Sequence, residues 1–124
     1  MQNDVIIDNI MKAVSAHSKW KTRLHTGIQM GEIDTPSVQI TRDDQCEFGQ
    51  WLHSTQIDEE TKRGKPYKVI KRLHAEFHGC AGKIAHRVEQ GEIDAAQELL
   101  EGDYRETSRK LMLALTLWRT ELSS

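Results

Sequence analysis

The sequence contains few residues that interrupt helices or cross-link a chain. Its 124 residues include only two prolines, Pro36 and Pro66, and only two cysteines, Cys46 and Cys80. With so few prolines, and with glycines mostly between the periodic segments, the sequence favours long helices. In a reducing compartment, two cysteines are expected to be free thiols or metal ligands rather than a disulfide.

Long apolar runs and an excess of positive charge are also missing. The longest apolar run, LMLAL followed by LW after Thr116, is shorter than the roughly 20 apolar residues of a membrane helix. The net charge of −2 and the lack of a basic stripe give no general attraction to nucleic acid. The first residues, MQNDVIIDNIM, carry acids where a signal peptide would carry lysine or arginine. We therefore expect a cytoplasmic protein without a membrane or nucleic-acid partner.

Apolar residues recur at helical spacing along most of the chain, which is long enough for one domain. A first helix is predicted from about residue 3 to residue 30. Its expected stripe is Ile7, Ile10, Val14, His17, Lys21, Leu24 and Ile28. A second long helix is predicted from Pro66 to about residue 90. Its expected stripe is Ile70, His74, Phe77, Ala81, Ile84 and Val88.

Shorter helical segments complete the pattern. A connection that is expected to be extended around residues 38–40 precedes a short helix within QCEFGQWLHS, which Asp43 and Asp44 are expected to cap. Another short helix is predicted in EIDAAQELLEG, after Gly91. We therefore predict one all-α domain over residues 1–124, an antiparallel four-helix-type bundle with an additional short helix that carries the cysteine.

The last helix, predicted over residues 103–122, is apolar almost all round. Its apolar residues are Leu111, Met112, Leu113, Leu115, Leu117 and Trp118. A helix with one buried face does not need so many, so a second contact with another subunit is expected.

The pentapeptide HAEFH places His74 and His78 four residues apart on one helical face, where both can reach one ion. A metalloprotease would need glutamate directly after the first histidine, and that residue is Ala75. Glu76 projects to a different side of the helix. Alone, this histidine pair is a weak metal signal.

Two further residues strengthen that signal. His17 interrupts an apolar stripe, and Cys46 lies at the start of a short helix, where the dipole favours the thiolate form. Phe48 and Trp51 would anchor this helix in the core, and Gly49 would let another helix approach closely. Each ligand candidate taken alone is more often an ordinary core residue. Together with the HAEFH pair, they offer one sulfur and three nitrogens, a tetrahedral set suited to Zn²⁺.

The assembled pattern resembles the chemoreceptor zinc-binding (CZB) domain family. HSKW at 17–20, CEFGQW at 46–51 and HAEFH at 74–78 occur in the family's order, with almost equal separations between them. The resemblance implies that the zinc ligands are His17, Cys46, His74 and His78. It also implies homodimers formed through this domain.

Within the family, the sequence is most similar to the N-terminal domain of zinc-inhibited diguanylate cyclases. Those chains also carry His-x-x-Trp on the first helix and a cysteine soon after the histidine pair, as Cys80 is here. No catalytic domain follows Ser124, so the expectation is either a regulatory piece of a cyclase or a stand-alone relative that acts on a partner. The chain itself is expected to be regulatory, not an enzyme.

The remaining candidates are weaker. His25 and His53 are expected to be solvated, and Cys80 is expected to be a small buried thiol. His86 would extend the ligand set only if its face of the helix were exposed to solvent.

Four protein ligands leave no position for a water nucleophile, so hydrolytic catalysis is not expected. Four hypotheses remain open. Zinc occupancy could regulate an output, or an oxidant such as hypochlorous acid could act on the zinc-bound Cys46, as the resemblance implies for some members. The metal could be purely structural, or the chain could be a metalloenzyme. A di-iron enzyme would need glutamates on the inner stripes, and none is found there.

Overall fold

The computed structural model describes residues 2–123, and over this range it contains helices and connections but no strands. The helices are α1 (Gln2–Ser18), α2 (Trp20–Met30), α3 (Ser37–Ile40), α4 (Glu47–Leu52), α5 (Glu59–Arg63), α6 (Lys65–Glu89), α7 (Ile93–Leu99) and α8 (Arg105–Ser123). A π-helical turn, Leu100–Tyr104, joins α7 to α8. The all-α prediction is confirmed. No helix of the described range is both long enough and apolar enough to cross a membrane.

The principal helices α1, α2, α6 and α8 form an antiparallel bundle. The side-chain amide of Asn3 donates to the backbone carbonyl of Leu122 at 3.4 Å, so α1 begins where α8 ends. Likewise, Tyr67 at the start of α6 and Trp118 near the end of α8 line one cleft. Helix α6 is central, because it contacts α2, α3, α5, α7 and α8.

The predicted first helix is divided into α1 and α2 at Lys19. The buried residues of α1 are Ile6, Ile10, Ala13 and His17. Ile7 and Val14, which were expected to be buried, are half-buried at the edge of this face, and Lys21 is exposed. Lys21 is exposed because the break at Lys19 changes which residues of α2 face the core. Ile7 and Val14 precede the break, and the expected stripe is one residue off there, since the buried residues are Ile6 and Ala13.

Helix α6 agrees closely with the sequence pattern. Pro66 lies in its first turn. All six residues of its expected stripe are buried: Ile70, His74, Phe77, Ala81, Ile84 and Val88. His78, which was not part of that stripe, is buried as well, so both α6 histidines of the predicted metal set lie on the inner side of the central helix.

The connections before α6 differ from the sequence prediction. Residues 38–40, expected to be extended, belong to α3, which packs against α6. Helix α4 is capped by Cys46 instead of Asp43 or Asp44, because the Cys46 sulfur accepts a hydrogen bond from the Gly49 amide at 3.3 Å. Gly49 does permit a close approach: its nearest neighbour is the Asp43 backbone, and the ring of His74 on α6 also lies 3.2 Å from a Cβ added there.

Helices α7 and α8 are continuous through the π-helical turn, whereas the sequence predicted two separate helices, one in EIDAAQELLEG and one over residues 103–122. On α8, Leu111, Leu115 and Trp118 are buried in the core. Leu113 and Leu117 remain 52% and 58% exposed. The bundle alone therefore does not cover the apolar surface of this helix.

Candidate metal centre

Four side chains from three parts of the bundle converge on one point. His17 comes from the last turn of α1, Cys46 precedes α4, and His74 and His78 lie one turn apart on α6. One ligand atom from each lies within 4.8 Å of the other three. The fold therefore brings together all four of the residues that the sequence singled out.

The separations between these atoms suit a single small cation. The Cys46 sulfur lies 3.3 Å from His74 Nε2, 3.5 Å from His78 Nε2 and 3.9 Å from His17 Nε2. The Nε2 atoms of His17 and His74 are 3.1 Å apart. Tetrahedral zinc with ordinary bond lengths would place its nitrogens about 3.3 Å from each other and about 3.6 Å from its sulfur. The donors already lie near such positions.

Two of the imidazoles are oriented by backbone carbonyls. His17 Nδ1 donates to the carbonyl of Ala13 at 2.8 Å, and His78 Nδ1 donates to the carbonyl of Ile40 at 2.9 Å. Since the proton of each neutral ring is on Nδ1, each Nε2 directs a lone pair at the centre. A histidine that ligates a metal through one nitrogen is usually held in this way through the other.

His74 is held by packing instead. Its ring contacts Phe48 edge-on, with centroids 5.2 Å apart, and its Cε1 faces Gly49. Among the described residues, its Nδ1 is buried without a hydrogen-bond partner. An unpartnered buried nitrogen is costly, so His74 lacks the outer hydrogen bond that orients the other two rings and depends on its packing for its position.

Burial keeps the three imidazoles neutral. It lowers the pKa of His17 to about 4, with the nearby His78 adding to the effect and the Ala13 carbonyl opposing it. Burial and the neighbouring His78 and His17 lower the pKa of His74 to about 2. The pKa of His78 is also lowered by burial, against the effect of the Ile40 carbonyl. All three rings are therefore in the form that binds metal.

The Cys46 thiol differs from the expectation that the helix start would favour its thiolate. Burial raises its pKa, the hydrogen bond from the Gly49 amide opposes this, and the negative charge of Asp43 adds to the increase. A six-residue helix provides too small a dipole to outweigh desolvation. A cation at the centre would supply the positive charge that a thiolate needs.

Cys46 is also the most exposed of the four clustered residues. The three histidines are at most 2% exposed, whereas Cys46 is half-buried. A cavity of about 60 Å³ reaches the site between α1 and α4, and His17, Trp20, Cys46, Glu47 and Phe48 are among its lining residues. This space is comparable to that of about two waters in the liquid, so small molecules can approach the sulfur.

The other candidates lie outside the cluster. His25 is exposed and His53 is largely exposed, as expected, and His53 Nε2 lies 3.3 Å from an Asp43 carboxylate oxygen. His86 is exposed on α6. Cys80, expected to be buried, is half-buried, and its sulfur lies 3.6 Å from the hydroxyl of Thr107.

The sequence did not reveal the groups that orient the ligands. Ala13 could have been found, because its carbonyl lies one helical turn before His17 and both were placed on one helix. The Ile40 carbonyl could not, since its role depends on how α3 docks on α6. The Gly49 amide was missed because the start of α4 was placed at Asp43 or Asp44 instead of Cys46.

Comparisons with known proteins agree with this geometry. The family model for the chemoreceptor zinc-binding domain matches residues 17–85, which include all four clustered side chains. Among solved structures, the regulatory CZB domain of DgcZ is similar over 98% of this chain and 99% of its own, with 20% identity and a TM-score of 0.75. That likeness shows a shared fold. A search of curated proteins found no match.

Three neutral imidazoles and one cysteine sulfur form a donor set that fits zinc, and their mutual separations fit tetrahedral coordination. The spacing of the motifs, the all-α bundle and the match over residues 17–85 lead to the same conclusion. This chain belongs to the chemoreceptor zinc-binding domain family.

Proposed function

We propose that this chain is a sensory domain that binds Zn²⁺ through His17, Cys46, His74 and His78, and that occupancy of the site regulates an output. The observation that carries the proposal is the convergence of one sulfur and three imidazole nitrogens within 4.8 Å, with the outer nitrogens of His17 and His78 held by carbonyls. Bound zinc would supply the positive charge that holds these four donors together.

The segment proposed to respond to the metal is the one that carries Cys46, because this ligand comes from the start of a short helix instead of a long one. Helix α4 has six residues and is anchored in the core by Phe48 and Trp51, which are 5% and 7% exposed. In the absence of a cation, the Cys46 sulfur and the imidazole lone pairs face one another without a positive partner. Two packings of α4 are proposed, one held against α1 and α6 and one released from them. Metal binding favours the first.

The output is proposed to depend on a homodimer. The exposed Leu113 and Leu117 of α8 support a contact between two copies of the chain. Zinc occupancy would set the geometry of this dimer and so the activity of an attached or partner output domain, which we propose is a diguanylate cyclase that zinc inhibits. Support comes from the fold shared with a domain described as the regulatory CZB domain of DgcZ.

The test compares the zinc-loaded and metal-free protein. Native mass spectrometry should give one zinc per chain in a dimer, and spin labels on α8 should report a changed distance between protomers after chelation. The matched control for a His78→Ala variant is His25→Ala, because His25 is exposed and lies outside the cluster. If zinc binds but neither the α8 distances nor the activity of the output protein changes, regulation by zinc is excluded.

A second function, oxidant sensing, is favoured by the half-exposed sulfur at the 60 Å³ cavity. The Cys46 thiolate would attack hypochlorous acid, forming a sulfenic acid and releasing chloride, and the oxidised sulfur would bind the metal more weakly. Simultaneous measurement of Cys46 sulfenate and free zinc under dilute oxidant distinguishes the two functions. A metal sensor responds to chelation alone, whereas an oxidant sensor responds at constant total zinc.

A further inference from the structure

Helix α3 connects a metal-site histidine to a carboxylate about three helical turns farther along α6. His78 and Glu89 lie within about 20° of each other around α6, and Gly82 lies on the same side between them. The four residues of α3 pack along this side of α6, and each end of α3 makes a specific contact with it.

The C-terminal end of α3 orients the metal ligand. The carbonyl of Ile40 accepts the hydrogen bond from His78 Nδ1 at 2.9 Å, and Ile40 is itself 3% exposed. The direction of the His78 lone pair therefore depends on where α3 places this carbonyl.

The N-terminal end of α3 is bound by Glu89. The backbone amide of Ser37 donates to one carboxylate oxygen at 2.8 Å, and its hydroxyl donates to the other at 2.6 Å. These two hydrogen bonds hold the pKa of Glu89 below its ordinary value. His86 Nδ1 lies 3.7 Å from the same carboxylate.

Just after the C-terminal end of α3, the chain packs closely against α6. A Cβ added at Gly82 would overlap the side chain of Thr41, the residue after α3, and would come within 3.0 Å of its Cα. The main-chain amides of Gln39 and Ile40 both donate to the Pro36 carbonyl, so the segment is a hydrogen-bonded unit from end to end.

We propose that Glu89 is a positioning residue for metal binding: by holding Ser37, it fixes α3 so that the Ile40 carbonyl orients His78 toward the ion. This inference rests on the proposed function, because it requires His78 to be a ligand. Residues that orient metal ligands change affinity by about 10- to 100-fold when they are lost. Glu89 acts one step farther from the metal, so its removal is expected to weaken zinc binding by about three- to tenfold.

The experiment uses the full chain with Glu89→Ala, Glu89→Gln and, as a matched control, Glu106→Gln. Glu106 also makes a short side-chain ion pair, with Arg109 at 2.7 Å, but on α8 and away from α3. Zinc affinity is measured by competition with a chelating dye. Glu89→Ala should bind most weakly, Glu89→Gln should be partly rescued because its amide oxygen still accepts one hydrogen bond, and Glu106→Gln should match the wild type.

Cobalt provides a readout that a purely structural role would not change. Four-coordinate Co²⁺ absorbs visible light much more strongly than Co²⁺ that has gained water ligands. Co²⁺-loaded Glu89→Ala should show a weaker visible band than the wild type, because His78 is less well oriented. Ser37→Ala, which keeps the main-chain amide, should have a smaller effect and should add little to that of Glu89→Ala.

The outcomes separate the two proposals. If wild type binds no zinc, the proposed function fails. If wild type binds zinc but Glu89→Ala keeps the same affinity and cobalt spectrum, or loses no more affinity than Glu106→Gln, the role of Glu89 is rejected. If circular dichroism shows that Glu89→Ala does not fold, Ser37→Ala and Glu89→Gln are compared with Glu106→Gln instead. The role of Glu89 is then rejected if neither variant binds zinc more weakly than this control.

Discussion

The backbone carbonyl of Asp43 lies so close to Gly49 that no side chain fits between them. A Cβ added at Gly49 would overlap this carbonyl, and it would also come within 3.2 Å of the Cε1 atom of His74. One glycine thus allows the loop before Cys46 and the helix after it to pack against a metal-site histidine.

We expect Gly49→Ala to damage the metal site. The Asp43 backbone or α4 would have to move, at an overpacking cost of about 1–3 kcal/mol, and the sulfur of Cys46 would move with them. Zinc affinity, measured by chelator competition, should fall. The matched control is Gly79→Ala on α6, where an added Cβ meets nothing within 4 Å. It should keep zinc affinity and raise stability by about 0.5–1 kcal/mol. Equal zinc affinity in both variants would contradict the account of Gly49.

Loss of a ligand should be more severe than loss of a group that orients one. We expect His17→Ala, His74→Ala and His78→Ala each to lower zinc affinity by more than about 100-fold, the upper end for orienting groups. Isothermal titration should show no effect for His25→Ala, since His25 is exposed and lies apart from the cluster. A ligand variant that retains wild-type affinity would remove that residue from the site.

The metal-free protein should lose stability as the pH falls below about 6.5. His17 and His74 have a pKa of about 4 and about 2 in the folded chain, so the unfolded chain, with ordinary histidines, binds more protons in this range. Stability is therefore present above the unfolded pKa and is lost toward the folded pKa. Each such histidine contributes up to about 2 kcal/mol between pH 7 and pH 5.

Urea unfolding of metal-free protein at several pH values measures this effect. His17→Gln should show a shallower decrease than the wild type, because one buried titrating ring is absent, and His25→Gln should keep the full slope. Zinc-loaded protein should also release its metal as the pH falls, since protons compete for the same nitrogens and sulfur. A pH-independent stability of the metal-free wild type would contradict the burial of these rings.

The fold was largely predictable because helix periodicity is a local signal. The α6 stripe was correct at every position, since the pattern was uninterrupted and Pro66 marked its start. The break at Lys19 was not predictable, because no proline or glycine marks it. The helical form of residues 37–40 also had no local signal, because α3 has only four residues. Its contacts with α6 are made by Ser37 and Ile40, whose partners are distant in sequence.

The metal cluster was predictable from residue type and spacing, but its surroundings were not. His17, Cys46, His74 and His78 could be grouped because three imidazoles and one sulfur form a donor set suited to zinc. Burial raises the pKa of the Cys46 thiol, whereas the start of a helix lowers it. Which effect is larger depends on the packing between α1 and α4, which no sequence pattern records. The roles of Ile40 and Glu89 likewise arise from tertiary contacts alone.

The two cysteines should differ in how metal affects their reactivity. Bound zinc should protect Cys46 from alkylation, slowing it by at least about tenfold, because the thiolate electrons are shared with the cation. Cys80 lies beside Thr107 and outside the cluster, so its rate should not change. Iodoacetamide labelling followed by peptide mass spectrometry measures both sites in one sample. Equal rates at Cys46 with and without zinc would show that its sulfur is not a ligand.

The exposed leucines of α8 should control assembly without affecting metal binding. Leu117→Glu would place a charge in the proposed dimer contact, where it would lie buried without a partner. We expect sedimentation velocity to show a shift from dimer to monomer, with zinc affinity within about twofold of wild type, since Leu117 is 58% exposed and lies outside the cluster. The matched control is Val38→Glu, at an apolar residue of α3 that is 76% exposed. If both variants stay dimeric, or both dissociate alike, the contact does not depend on Leu117, and the proposed dimer through α8 must be given up.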